Sequence, residues 1–190
     1  MSKLIQFIDS KVPLEEKSKA LLSSISSEKT YKKGDTLLKI GGYCRHLYFI
    51  NEGLAKLGFH AGDGEFILRF FQEDILFTEL ESLTSNKPSK YQIIALEDIT
   101  CTRLTYSDFE KISKEDARVG VFYRKLLTIA HINMMNRISE MLESDAKTRY
   151  NNFLDQNAAI INRITLGDLS RYLGINQVTL SRIRSNLSSG

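Results

Sequence analysis

Thr165 to Arg184 constrains this chain more than any other stretch. Leu166, Leu169, Tyr172 and Leu173 recur at helical spacing, the pattern stops at Gly174, and Ile175, Val178, Leu180 and Ile183 resume it. Two short helices joined at a glycine turn make a helix-turn-helix. Gly174 suits the left-handed backbone of such a turn, Ile175 can fill the space between the helices, and the Asn176 side-chain oxygen can cap the second one. The second helix then presents Gln177, Thr179, Ser181, Arg182 and Arg184 away from the core. Those side chains carry the donors and acceptors that read base edges and phosphates in a major groove. The same pattern also describes a solvated helical hairpin.

Charge is distributed unevenly. Residues 1–144 carry 20 Lys and Arg against 20 Asp and Glu, whereas residues 145–190 carry 6 against 3, so the whole net charge of +3 sits with the helix-turn-helix. Phosphate neutralisation would use it there. A chain of 190 residues is long enough for two domains, expected at 1–143 and 144–190. Cys44 and Cys101 stand far apart without C-x-x-C spacing, so no disulfide framework, zinc site or iron–sulfur cluster is expected, and both should be reduced and buried. The N-terminal stretch lacks the apolar core of a signal peptide, and no run approaches the roughly 18 apolar residues of a membrane span. The expectation is a cytoplasmic protein without a membrane partner.

Along the chain, residues 3–26 read as two short helices separated by Pro13. From Thr30 to Phe109 the texture changes to short strands punctuated by turn glycines. Leu47–Ile50, Leu54–Phe59, Phe66–Phe71, Tyr91–Leu96 and Thr100–Leu104 have strand character, and their spacing indicates an antiparallel sandwich or barrel. The Gly62–Gly64 pair lies between two strand patterns, so it reads as a hairpin turn and not as a phosphate loop.

After Asp108 the helical period returns and holds to about Glu143, with a long helix expected over about 114–143. Its apolar band is wider than one amphipathic stripe: Val119, Phe122, Leu126 and Ile129, then Leu127, Ala130, Met134, Ile138 and Met141. A helix apolar on two sides needs two partners, the β-rich domain and the same helix of a second subunit. Phe122, Leu126, Ile129, Asn133 and Met134 are the candidate dimer contacts. Burial of the whole helix within one subunit is the alternative. Asn133 and Asn136 either set register or touch a ligand in this band, or face solvent. Beyond Ser144, Tyr150, Phe153 and Leu154 mark the inner face of another short helix, and Thr165 can cap the next one, with Asp168 in the capping-box position.

A β-rich domain, a long helix and this helix-turn-helix together resemble the Crp/Fnr family of bacterial transcription regulators, over almost the whole chain. Three segments carry the resemblance: Lys33-Gly34-Asp35 with Gly53-Leu54-Ala55-Lys56, Phe77-Thr78-Glu79-Leu80 with Ile93-Ile94-Ala95-Leu96-Glu97, and Leu173-Gly174-Ile175 with Thr179-Leu180-Ser181-Arg182-Ile183. The family implies an α+β fold: an antiparallel β-roll of the cyclic nucleotide-binding type, a dimerisation helix, and a winged helix-turn-helix whose wing here is shortened. It implies a homodimer on a palindromic double-stranded operator, with RNA polymerase as a further possible partner. The cysteine cluster of the family's iron–sulfur sensors is absent and no motif supports a haem ligand at His46, His60, His131 or the two cysteines, so no cofactor is expected. In the family, the positions of Gln177, Val178 and Arg182 meet base edges and those of Asn176 and Thr179 meet phosphates, with Ser181 and Arg184 nearby.

The segment that resembles the family's phosphate-binding cassette is altered. Glu79 is retained where the family holds a ribose hydroxyl, although a carboxylate at a helix start is favourable on dipole grounds alone. Thr78 replaces a glycine, and the downstream Arg-Ser or Arg-Thr pair falls on Ser89 and Lys90. The effector pocket (Thr78, Glu79, Leu80, Ser89, Lys90) is therefore expected to be degenerate and not to bind cyclic AMP, the effector remaining unknown; a working cyclic-nucleotide switch is the alternative. A cupin-like enzyme, the competing class, would need a clustered metal-ligand set, and His46, His60 and His131 are scattered. No catalytic grouping stands out.

Overall fold

A computed structural model describes residues 2–62 and 64–188. Helices α1 (Lys3–Lys11) and α2 (Glu16–Ser24) open the chain on either side of Pro13. Then follow β1 (Ser26–Tyr31), β2 (Thr36–Leu38), β3 (His46–Glu52), β4 (Ala55–Ala61), β5 (Gly64–Phe71), β6 (Leu76–Phe77), α3 (Leu80–Ser85), β7 (Gln92–Ala95) and β8 (Ile99–Thr105). The strands form two antiparallel sheets, ordered β1-β8-β3-β6 and β2-β7-β4-β5. Five of them fall on the segments read from the sequence. The other three did not stand out: β1 is a largely exposed, polar edge strand, and β2 and β6 are too short to show a period.

The roll core gathers Leu47, Phe49, Ile50, Ile93, Ile99 and Leu104, with Leu4, Ile5 and Ile8 of α1 and Leu22 of α2 closing one side. The β4–β5 hairpin is irregular at one point. Pairing is regular from Ala55↔Phe71 to Leu57↔Arg69, then continues as Gly58↔Ile67, which leaves Leu68 as an extra residue. The bulge reverses the alternation of β5, so Glu65, Ile67 and Phe70 all emerge on the face that carries Lys56. Gly58 is needed at the bulge, where a Cβ would lie 2.6 Å from the Phe66 carbonyl oxygen.

Five helices follow: α4 (Tyr106–Glu115), α5 (Ala117–Glu143), α6 (Ala146–Gln156), α7 (Leu166–Leu173) and α8 (Gln177–Ser188). The run expected to stay helical from about 108 to 143 is broken at Asp116, whose backbone is extended (φ −113°, ψ 110°) and whose carboxylate caps α5 by accepting from Arg118 N at 2.8 Å. The Ser18 hydroxyl of α2 donates to the same carboxylate. A capping carboxylate can interrupt a sequence period without a Gly or Pro to announce it. A second core crosses position 144, joining Leu54, Ile67 and Phe70 of the roll to Tyr150, Phe153, Ile160, Leu169, Leu173 and Leu180. The architecture is α+β: β-roll, long helix, helix-turn-helix. The expected wing falls beyond Ser188, outside the described residues. Among the described residues, no helix is long and apolar enough to cross a membrane.

Candidate nucleic-acid interface and effector pocket

The helix-turn-helix is built as its residues dictate. The Thr165 hydroxyl accepts from Asp168 N at 3.0 Å to start α7, and Gly174 ends it in the left-handed region (φ 67°). Asn176 Oδ1 accepts from Thr179 N at 2.8 Å to start α8. Leu169, Leu173 and Leu180 are buried between the two helices and α6, with Ile175 and Ile183 half-buried beside them. That packing leaves Gln177, Val178, Ser181, Arg182 and Arg184 exposed and Thr179 half-buried. Val178 and Arg182, four residues apart, share a face of α8. Asn176 is exposed too, but its side-chain oxygen is engaged as the cap.

Sequence reasoning missed how this unit is fastened to the roll. The Lys56 ammonium lies 2.8 Å from Asp168 and 2.9 Å from Glu65, all three side chains largely buried, and Arg171 reaches the other Glu65 oxygen at 3.4 Å. Burial disfavours the Asp168 carboxylate, but the Lys56 ammonium and the Thr165 hydroxyl outweigh it and hold the group below the usual carboxylate range. Arg163, in the turn before α7, forks onto Glu97 (2.6 Å) and Glu73 (2.8 Å) of the roll. Beside these pairs, Phe70, Phe153 and Tyr172 form an aromatic cluster with centroids 5.1–6.1 Å apart. The one sequence signal was Lys56 itself, a charge within the otherwise apolar Leu54–Phe59 strand.

The segment that resembles the family's phosphate-binding cassette lies between β6 and β7. Glu79 is 3% exposed and caps α3, accepting from Glu81 N at 2.9 Å and Ser82 N at 3.1 Å. Thr78 donates to the His46 carbonyl at 2.9 Å and lies 3.2 Å from Cys44 Sγ. The structure thus brings Thr78 and Glu79 together at the start of α3, with Leu80 exposed at 42%. Ser89 is buried, its hydroxyl bonded to the Tyr91 backbone and its own backbone tied to Gly41 and Gly42. Lys90 turns outward and pairs with Glu81 at 2.9 Å. The two residues at the Arg-Ser position therefore face different tasks, one structural and one solvated. In the first sheet, the register sets Arg103 opposite Tyr48, and the Arg103 Nε is buried without a hydrogen-bond partner among the described residues. Burial lifts the Tyr48 phenol well above its ordinary range.

On α5 the candidate dimer contacts separate. Phe122 is only 2% exposed and meets Phe7 edge-on at 6.2 Å, so it belongs to the core of its own protomer and cannot reach a second subunit. Leu126 is half-buried against the same core. Ile129 (57%) and Met134 (51%) are exposed, as is Asn133, and Ile132, Met135, Ile138, Met141 and Leu142 extend an apolar surface toward the end of the helix. Sequence spacing had not singled out Ile132, Met135 or Leu142.

Residues 28–116 match the family model described as the cyclic nucleotide-binding domain. The chain superposes on FixK2 from Bradyrhizobium japonicum with a TM-score of 0.77 and 18% identity, covering 87% of this chain and 85% of that one. For a CooA mutant from Carboxydothermus hydrogenoformans the values are 0.74 and 19%, over 93% and 81% of the two chains. For a protein of the Crp/Fnr family from Eubacterium rectale they are 0.73 and 18%, over 93% and 84%. No curated protein matches.

Proposed function

We propose, for a chain that carries a cyclic nucleotide-binding domain on the fold of the Crp/Fnr regulators, that it is a homodimeric, sequence-specific DNA-binding transcription regulator whose effector cassette no longer suits cyclic AMP. The observation that carries this reading is the exposed face of α8. Gln177, Val178 and Arg182 are exposed while Leu180 and the Asn176 cap fix the helix beneath them. Gln177 can pair bidentately with adenine and Arg182 with guanine, and Val178 can contact a thymine methyl. Thr179, beside the cap, is suited to a phosphate. Two such helices related by a two-fold axis would read a palindrome with half-sites roughly 34 Å apart. The second apolar surface of α5, left open in one protomer, supports the dimer. Ser89 and Lys90 support the altered effector preference, because neither supplies a guanidinium toward a phosphate.

Binding-site selection from random duplexes tests the reading. Wild-type protein should enrich a palindrome. Arg182→Ala should cost about 1–3 kcal/mol per half-site and relax one base pair, whereas Thr179→Ala should weaken all sequences alike. An unchanged affinity and preference in Arg182→Ala would remove α8 as the reader.

A further inference from the structure

A cleft of about 620 Å³ opens where β5, α5, α6 and α7 meet, away from the Glu79 cassette. Its volume lies within the range of small-molecule sites. Six carboxamides converge on it: Gln72 after β5, Asn133 and Asn136 from α5, and Asn152, Gln156 and Asn157 from the α6 region. Asn152 and Asn157 are engaged with Glu140 and the Phe153 carbonyl. Gln72, Asn133, Asn136 and Gln156 make no side-chain hydrogen bond among the described residues, so their donors and acceptors face the cleft or solvent. Tyr172 and Phe70 add apolar walls.

Two cations line the cleft and they differ. Arg137 is already committed, donating to Glu140 and to the Tyr172 carbonyl, with its guanidinium 4.1 Å over the Tyr172 ring. Arg69 has no carboxylate partner among the described residues; its guanidinium lies 5.9 Å from the centroid of the Phe71 ring, and Tyr172 is close enough to interact with it electrostatically. Arg69 is partly buried, and burial disfavours its charged form. A partly desolvated guanidinium without a counter-charge, surrounded by unengaged amides, is the arrangement that an anion with a hydroxyl-rich body would complete: the charge would take the Arg69 fork, and hydroxyls, which both donate and accept, would match amides that offer both.

We propose that this cleft binds a polyhydroxylated organic anion, a sugar acid or a sugar phosphate, with its charged group on Arg69 and its hydroxyls on the amides of α5 and α6. A molecule held there touches the roll through Arg69 and the helix-turn-helix unit through α6 and Tyr172, so it ties the two together. The binding claim stands independently of the DNA-binding proposal, and binding can be measured without DNA.

Calorimetric titration of the full chain with glucuronate and with ribose 5-phosphate tests it, the two probes separating a carboxylate from a phosphate ester. At least one should bind saturably in the millimolar range or tighter. Arg69→Gln should weaken that binding about tenfold, the loss expected for one charge-assisted bond. Asn136→Leu, at an exposed position of α5, should weaken it several-fold in a protein that remains folded, and Lys90→Ala, in the cassette, should leave it unchanged. No saturable binding of either probe, or binding that survives both Arg69→Gln and Asn136→Leu, would overturn the proposal.

Discussion

The Lys56 ammonium of β4 and the Asp168 carboxylate of α7 are 2.8 Å apart although 112 residues separate them in sequence. Their side chains are 10% and 8% exposed, so the pair is largely withdrawn from water, and Glu65 shares the same cation. Attraction within such a group roughly offsets its desolvation, but removing one member leaves uncompensated charge behind. The contact therefore contributes more to the position of α7 than to net stability.

Lys56→Ala should accordingly destabilise the protein by about 3–5 kcal/mol, since two carboxylates lose their shared cation. Chemical denaturation measures the loss, and hydrogen exchange should show α7 amides opening before those of β3 and β8. A double replacement of Lys56 and Asp168 by leucine should recover most of the stability.

Acid should loosen the same junction. Hydrogen bonds from Arg163 hold the Glu73 carboxyl at about 2, below its ordinary 4.5, against a smaller opposing effect of burial. A carboxyl that binds its proton less tightly in the folded chain adds stability that is complete above its unfolded value and is lost as pH falls through the folded one. The contribution should thus fade between about 4.5 and about 2. Because the pair is partly exposed, salt should reduce it. Arg163→Ala should flatten this part of a plot of melting temperature against pH.

The two sides of α5 should respond differently to substitution. Ile132→Glu or Met135→Glu, on exposed positions, should turn a dimer into a monomer by light scattering while leaving the melting of the β-roll nearly unchanged. Phe122→Ala should instead cost about 3–5 kcal/mol of folding stability, because it opens a cavity against Phe7.

Cyclic AMP at millimolar concentration should give no saturable thermal stabilisation. Glu79 already accepts backbone amides of α3, and Ser89 and Lys90 are committed to Tyr91 and Glu81. A saturable rise of a few degrees would show that the pocket tolerates these replacements.

What the sequence made legible was local. Gly174, Asn176 and Thr165 act within three or four residues of themselves, and their turn and caps are present as read. Asp168 shows where that reading ended. Its place three residues after Thr165 suggested a capping partner, and it does accept from the Thr165 hydroxyl at 2.7 Å. Its second oxygen serves Lys56, and no local pattern encodes a partner so remote. The wide apolar band of α5 suggested two partners, yet periodicity could not say which residues would face the roll, and Phe122, read as a dimer contact, is buried within its own protomer. Glu79 stands at the start of α3 and Ser89 shortly before β7, and their hydrogen bonds depend on backbone that only the folded loop brings near. Arg69 lies within the Phe66–Phe71 strand, and nothing in its sequence position marks it out. The bulge beside it determines its surroundings, and a bulge has no signature in alternation read one strand at a time.

The extra residue at Leu68 makes the number of residues here matter as much as their identity. Inserting one residue into β4 opposite Leu68, between Leu57 and Gly58, would leave every neighbouring side chain chemically intact, yet remove the bulge and rotate Glu65 and Ile67 onto the opposite face from Lys56. One added codon would thereby separate the shared cation from a carboxylate and withdraw Ile67 from the second core. The hairpin end around Gly62 carries no such count, since it is exposed and a Cβ at Gly62 would meet nothing within 4 Å. Changes in chain length should therefore be tolerated at the tip of this hairpin and rejected at its middle, a distinction that a comparison of residue types alone would not reveal.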